Sequence, residues 1–283
     1  MVQFIDTHQH LILRDHFGYD WADGIVGLAG REFSFREYGA EANQAISAAL
    51  FMESGVNDAD YKAEARLIAG WVQSGRFLGQ VASCRPEDGS STEWIDECAG
   101  LGVKGFRRIL HVMPDGLSQT TTFLKNLLEI GRRGFSFDLC LRADQHETGA
   151  AILRACPSQQ FILDHCGNPD IAADDFGTWS RSLALLAKFP HLTIKLSGIP
   201  ANARMDQQND AGLHPYMERV VELFGVDRVV WGSDWPVCTL AKGLGNWIDI
   251  SMRFFEKLSS DGAMKIAQTN AIRLYRLEGN TTS

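Results

Sequence analysis

The 283-residue chain is short of basic charge. Its 27 Lys and Arg stand against 35 Asp and Glu, for a formal net charge of −8, and this disfavours a nucleic-acid partner, whose phosphates call for a basic face. An anionic small substrate is still allowed, since a few local arginines suffice to hold one. The six cysteines, Cys84, Cys98, Cys140, Cys156, Cys166 and Cys238, include no CxxC pair and no compact framework. That excludes a zinc ribbon and a disulfide scaffold and predicts a reduced, cytoplasmic protein. No apolar run reaches membrane-spanning length, and Met1 leads straight into Phe4-Ile5-Asp6 with no basic stretch followed by an apolar one; a soluble, unexported chain without a membrane partner is expected. Repeats, low-complexity tracts and Pro/Ser/Gly linkers are also lacking, which predicts one domain over residues 1–283. With 45% hydrophobic and 22% charged residues, such a domain is ample for a buried core.

What is present begins near the N-terminus. Asp6, His8 and His10 alternate with one-residue gaps, and in a β-strand residues two apart share a face. A lone histidine is more often structural. Two in register are harder to accommodate, because each buried ring nitrogen without a partner costs roughly 1–3 kcal/mol.

Eight β-like runs punctuate the chain: Gln3–His8, Ile46–Met52, Phe77–Ala82, Val103–Ile109, Phe135–Leu141, Phe161–Leu163, Leu192–Leu196 and Arg228–Trp231. Between them apolar residues step by three or four, as in Tyr61/Ala65/Ile68/Val72 and Tyr216/Val220/Leu223, the spacing of a helix face. Gly75, Gly102, Gly134 and Gly225 precede strands, where helix ends favour glycine. Eightfold strand–helix alternation in a chain of this length predicts an α/β fold, a single-domain (β/α)8 TIM barrel; a doubly wound sheet shares the alternation but not the count. The stretch 11–45 is too long for an ordinary βα loop and is read as an insertion over the active-site face.

In such a barrel the chemistry sits at the C-terminal ends of the strands. There the sequence places His8 and His10, Glu53, Arg107, Arg108 and His111, Arg142, Asp164 and His165, Lys195 and Ser197, and Ser233, Asp234 and Trp235. Glu53 reads equally as a solvated strand end or as a ligand or hydrogen-bond partner of the histidines. Arg107 and Arg108 face opposite ways on a strand, so one at most enters the barrel, and a guanidinium there suits a carboxylate. His111, Arg142, Lys195 and Arg204 are each as readily surface charges or salt-bridge partners as substrate contacts. Trp231 and Trp235 are first of all packing residues, and Trp235, beside Asp234, is the better substrate candidate. Cys166 points away from its neighbour His165 and is set aside.

Four ordered segments, Phe4-Ile5-Asp6-Thr7-His8-Gln9-His10, Phe161 to Pro169, Lys195-Leu196-Ser197-Gly198 and Val230 to Pro236, together resemble the amidohydrolase superfamily. More narrowly they resemble its amidohydrolase 2 branch, which includes lactonases. The resemblance runs to Asn270–Tyr275 and implies a (β/α)8 barrel with His8, His10, His165 and Asp234 as the catalytic set. On that basis the expected reaction is opening of a sugar lactone or a carboxylated lactone, with Asp234 as general base and the histidines polarising the carbonyl. Arg107, Arg142, Trp235 and Glu53 are the expected substrate-binding residues, and the two arginines favour a carboxylated lactone. No metal is expected to be obligatory, and one divalent ion, zinc, would fall to His8, His10 and Asp234. Lys104 lies too early in its strand to match the bridging lysine of two-metal relatives. A zinc-dependent decarboxylase and a non-catalytic ligand-binding barrel are the alternatives, and a homo-oligomer is compatible with the sequence. The chain departs from the sugar-lactonase pattern at Leu11-Ile12 and at Phe51-Met52-Glu53-Ser54.

Overall fold

The computed structural model describes residues 2–277. Among these, eight parallel strands follow one another around a single sheet: β1 (Phe4–Gln9), β2 (Ile46–Met52), β3 (Gln80–Ser83), β4 (Val103–Ile109), β5 (Ser136–Cys140), β6 (Phe161–Leu163), β7 (Leu192–Leu196) and β8 (Val229–Trp231). A parallel bridge between Gln9 and Trp235 draws the two edges together, giving a nearly closed (β/α)8 barrel. Helices α1 (Phe35–Ala42), α2 (Tyr61–Gln73), α3 (Ser91–Cys98), α4 (Thr121–Arg132), α5 (His146–Ala155), α6 (Phe176–Leu186), α7 (Asp210–Phe224) and α8 (Gly243–Phe255) alternate with the strands. Their starts follow local chemistry. Ser34 and Glu37 form a reciprocal capping box on α1, Thr120 accepts from Phe123 N on α4, and Asn209 accepts from Gly212 N on α7, each satisfying a backbone donor that the first turn leaves open.

Two apolar regions result. Outward residues such as Phe106, Phe137, Leu163, Ile194 and Trp231 join the helix faces in the main core. Inside the barrel Ile5, Leu50, Met52, Val81, Ile162 and Val230 meet Tyr275 and Leu277 of the C-terminal segment, which plug it. All six cysteines are buried and unpaired. No helix among the described residues is long and apolar enough to cross a membrane.

Several sequence-based bounds shift. The first strand runs Phe4–Gln9 rather than Gln3–His8, and the third begins at Gln80 instead of Phe77, because Phe77 packs against Phe35 and Phe51 on the outside. The stretch 11–45 is not wholly an insertion: after a single helical turn at Asp20–Asp23, α1 links β1 to β2 and packs on α8. The part before it folds back through an Ile12–Phe33 bridge and is tied to the end of β2 by Trp21 Nε1 donating to Ser54 O at 2.9 Å. Asp6 does not share the histidines' surroundings. A register shift lies between Asp6 and Gln9, and Asp6 accepts from Tyr38 Oη of α1 at 2.8 Å and from the backbone of Ser233 and His8.

Candidate active site

Residues from opposite edges of the sheet meet at the C-terminal end. Asp234 N donates to His8 O, and His10 N donates to Trp235 O, both at 2.8 Å. These bonds pin the post-β8 turn against β1 and bring Asp234 Oδ1 to 3.7 Å from His8 Nε2, 3.5 Å from His10 Nε2 and 3.9 Å from His165 Nε2. His165 and Asp234 both have left-handed backbones, with φ of 54° and 56°. For non-glycine residues this costs on the order of 1–3 kcal/mol each and persists only where surroundings over-determine it. Gly198 and Gly232 make room: a Cβ on Gly198, itself at φ +70°, would lie 2.5 Å from His165 Nδ1, and one on Gly232 would lie 2.7 Å from His8 Cβ.

The distal nitrogens of these rings define what they offer. His10 Nδ1 faces two carbonyls, Met52 O at 3.1 Å and Glu53 O at 3.0 Å, so Nδ1 carries a proton and Nε2 is the nitrogen turned to Asp234. His165 Nδ1 is anchored by Ser197 Oγ at 3.0 Å. Burial pushes His165 below the usual histidine range and His8 well below it. His8, His10 and His165 thus aim ring nitrogens at one carboxylate oxygen at spacings too long for hydrogen bonds.

Such an array asks for a cation in its midst. Donors about 2.0–2.2 Å from a tetrahedral zinc are roughly 3.3–3.6 Å apart, close to the 3.5 and 3.7 Å found from Asp234 to His10 and His8. The residues fit: His8, His10 and Asp234 offer three mutually close ligand atoms. A second donor group, His8, Asp164 and His165, already surrounds a positive charge, since Lys195 Nζ lies 3.1 Å from Asp164 Oδ1 and 3.3 Å from His8 Nδ1.

Beneath the histidines lies a buried chain of alternating charge: Glu53, Arg107, Asp164, Lys195 and Asp138. Arg107 Nε meets Glu53 Oε1 at 2.5 Å, Nη2 donates to Glu53 O at 2.8 Å, and Nη1 reaches His8 Nε2 at 3.2 Å and Asp164 Oδ2 at 3.6 Å. Lys195 donates to Asp138 as well. Burial alone would raise Glu53 and Asp164, but Arg107 outweighs it at Glu53, and Lys195 and His8 outweigh it at Asp164, so both carboxyls are lowered. At Asp138 burial and the neighbouring Asp164 charge prevail over Lys195, and its pKa rises to about 7.

The sequence-derived candidates thus divide. His8, His10, His165 and Asp234 converge, and Glu53 and Arg107 adjoin them. Glu53 is buried, not a solvated strand end, and its carboxylate is spent on Arg107 and Gly55 N. Arg107 is correspondingly occupied by protein groups instead of facing a ligand. Trp235 is fully buried between Phe33 and Tyr38, so the substrate-stacking expectation is corrected to packing. Arg142 is exposed and is held by Asp144 and His111 O. It lines a cavity of about 590 Å³ with His111, Asp144, Asn168, Asp170 and Asn202. Asn168 N donates to His165 O at 2.8 Å, so one wall of this cavity adjoins His165, while His8, His10, His165 and Asp234 are not among its lining residues. Arg204 pairs with Asp174 at the surface, Trp231 stacks on Phe4 outside the barrel, and Lys104 reaches toward Arg276 O. Asp138 was not recognised in the sequence, although a lone carboxylate inside Phe137-Asp138-Leu139 was the available signal. Lys195 and Asp164 were noticed as rim residues but not as part of the centre.

Comparison with known proteins agrees with this architecture. A family model described as amidohydrolase matches residues 5–277. L-fucono-1,5-lactonase of Burkholderia multivorans is 23% identical over 286 residues, covering 96% of both chains. The uncharacterized protein y4mH of Sinorhizobium fredii is 26% identical over 260 residues, 83% of this chain and 86% of its own. The crystal structure of an amidohydrolase from Burkholderia multivorans with bound zinc superposes with a TM-score of 0.87 at 23% identity, covering 98% of this chain and 100% of that one. With one family model running over nearly its whole length, the chain belongs to the amidohydrolase family.

Proposed function

We propose that the protein is a hydrolase that opens a lactone ring, with Asp234 taking the proton of the attacking water. The observation that carries this is the convergence of three imidazole nitrogens on Asp234 Oδ1 within 3.9 Å. Water oxygen bonds to the lactone carbonyl carbon as Asp234 accepts its proton. The ring C–O bond then breaks, and the proton held on Asp234 passes to the departing ring oxygen, leaving a hydroxy acid.

The histidines bear on the carbonyl in one of two ways. A neutral His10, protonated on Nδ1, has no hydrogen to donate from Nε2, so it polarises a carbonyl only as an imidazolium or through a cation. A divalent ion held by His8, His10 and Asp234 would supply Lewis-acid polarisation and acidify water. The donor set is compatible with such an ion, and it is proposed as an aid rather than an absolute requirement.

The substrate reading changes with the structure. The sequence favoured a carboxylated lactone through Arg107 and Arg142, but Arg107 is committed to Glu53 and His8 and Arg142 to Asp144. The adjacent cavity carries Asp144, Asp170 and Asp175 against Arg142 alone. That balance suits a neutral, hydroxylated lactone, whose hydroxyls the carboxylates and asparagines would bind, in keeping with the lactonase name of the Burkholderia relative.

The test is a pH-indicator assay on sugar 1,4- and 1,5-lactones, muconolactones and pyrone carboxylates, with and without prior chelation. Turnover of a neutral sugar lactone is expected, and Asp234→Asn should lower kcat by about 10²- to 10⁴-fold. No turnover of any lactone would sink the hydrolytic reading, retained turnover in Asp234→Asn would remove Asp234 as base, and complete, zinc-reversible loss on chelation would make the metal obligatory.

A further inference from the structure

The longest run of left-handed backbone among the described residues spans His165 to Asn168, with φ of 54°, 54°, 72° and 49°. L-residues visit that region at single positions, because the Cβ crowds the following carbonyl, and of these four only Gly167 does so freely. The turn is closed by Gly167 N donating to Asp164 O at 2.9 Å and by Asn168 N donating to His165 O at 2.8 Å.

The alternation of β6 shows what the turn achieves. Ile162 points into the barrel, Leu163 out to the helices, and Asp164 in to Lys195. Continued extension would carry His165 outward. The left-handed turn instead brings two successive residues to the inner side. His165 Nδ1 lies 3.0 Å from Ser197 Oγ, its ring centroid is 4.4 Å from that of His8, and it is Cys166 that joins the outer core.

Strained backbone of this kind persists only where its surroundings over-determine it. Here the donors come from two helices that carry none of the catalytic set. Trp179 Nε1 of α6 donates to Cys166 O at 2.8 Å, and His146, the first residue of α5, brings Nε2 to 2.9 Å from Gly167 O. A carbonyl only accepts, so this nitrogen carries the proton. The approach is close: a Cβ on Gly167 would lie 2.8 Å from His146 Nε2. Asn168 Nδ2 adds a bond to Leu141 O at 2.7 Å. Both His146 and Trp179 are buried.

We propose that His146 and the indole N–H of Trp179 are positioning groups that hold the turn 165–168 and so keep His165 facing Asp234. Trp179 also lines the 590 Å³ cavity, whereas His146 does not, so the kinetic consequence is read most cleanly on His146. The inference rests on the hydrolytic reading for that consequence alone, because the seat of His165 is measured without substrate.

The experiment compares His146→Leu, His146→Gln, which keeps an N–H donor, and Trp179→Phe with Trp94→Phe. The last loses an equivalent buried indole bond on α3, to Ser83 O at 2.9 Å. Two quantities are read: the Cε1–Hε1 resonance of His165 in carbon–proton NMR, assigned by its loss in His165→Gln, and kcat and KM on the preferred lactone. In His146→Leu and Trp179→Phe the resonance should shift or broaden. In His146→Leu kcat should fall roughly ten- to hundredfold with KM within about twofold of wild type, as expected for a small misplacement of a reacting group. His146→Gln should recover most of both losses, and Trp94→Phe should match wild type in both.

A wild-type His165 resonance in both His146→Leu and Trp179→Phe overturns the proposal. So does an unchanged kcat in His146→Leu, or a loss equally deep in His146→Gln or Trp94→Phe. Should His146→Leu fail to fold, Trp179→Phe, which keeps an aromatic ring in place, carries the test by the same resonance and kcat. Failure of every lactone to turn over, with the resonances moving as expected, would count against the hydrolytic reading alone.

Discussion

The two faces of the barrel strands obey different rules. Along β7, Ile194 and Leu196 point out to the helices while Lys195 between them points in; along β5, Phe137 and Leu139 point out and Asp138 in. The outer face is held by apolar area removed from water, which tolerates small changes of shape. The inner face at the C-terminal end is buried too and relies on pairing, Glu53 with Arg107 and Lys195 with Asp138 and Asp164. A buried ion pair adds little net stability, yet removing one partner strands the other. Alternation of apolar and charged residues ordinarily marks a strand with one face in solvent. Here both faces are buried, and the charged face is the one that adjoins the histidine cluster.

The sharpest way to break this contrast is Lys195→Met. It leaves Asp138 and Asp164 facing each other without their shared cation, and a loss of about 3–5 kcal/mol is expected, read as a drop in the urea midpoint. The double variant Lys195→Met/Asp138→Asn, which removes one of the stranded carboxylates, should recover part of it. Loss no larger than that of a neutral surface substitution would show that the inner charges are not interdependent.

A second test compares two neighbouring buried carboxyls. Glu53 has Arg107 and is lowered; Glu64 of α2, with Ser54 N as its donor, is raised to about 8, first by burial and then by the Glu53 charge. The folded protein thus holds a proton on Glu64 that the unfolded chain releases near its ordinary value of 4.5. Where the unfolded state binds fewer protons, stability falls as pH rises. This contribution is present below the unfolded pKa and is lost progressively up to about 8, on the order of 3 kcal/mol between roughly pH 5 and 7.5. Glu64→Gln should abolish that part of the slope in chemical unfolding. Parallel slopes for the two proteins would mean that Glu64 is ionised in the fold.

These contrasts also mark what could be read in the chain. The eight strands, the helices and the histidine pair are local patterns, carried by spacing within a few residues, and they place His8, His10, His165 and Asp234 at one end of the barrel before any coordinates. The pairing of the inner charges is not local. Arg107 meets Glu53 across 54 positions and Lys195 meets Asp138 across 57, and periodicity says nothing about such partners. The register shift that turns Asp6 to Tyr38 was equally hidden, since strict alternation places it with the histidines. One clue was available. Strands buried on both faces should read as continuous apolar runs, so each charge inside one, Asp138 and Lys195 above all, marks the interior rather than the surface.

The smallest expected effect lies one residue from the largest. Ile194→Val removes one methylene from the outer face of β7, where Ile194 is fully buried in the main core. The expected cost is about 0.5–1.5 kcal/mol, from lost transfer energy and a cavity that the neighbouring side chains partly close. Its side chain belongs to the outer core, on the face opposite Lys195, so the midpoint should shift slightly while kcat and KM on the preferred lactone stay as in the wild type. Measured beside Lys195→Met, the pair separates face from position, because two adjacent residues on one strand share a position along the barrel and point to opposite sides. Were Ile194→Val to disturb kinetics as strongly as stability, the outer packing would be setting the geometry of the histidine cluster, and the two faces would have to be treated as one mechanical unit.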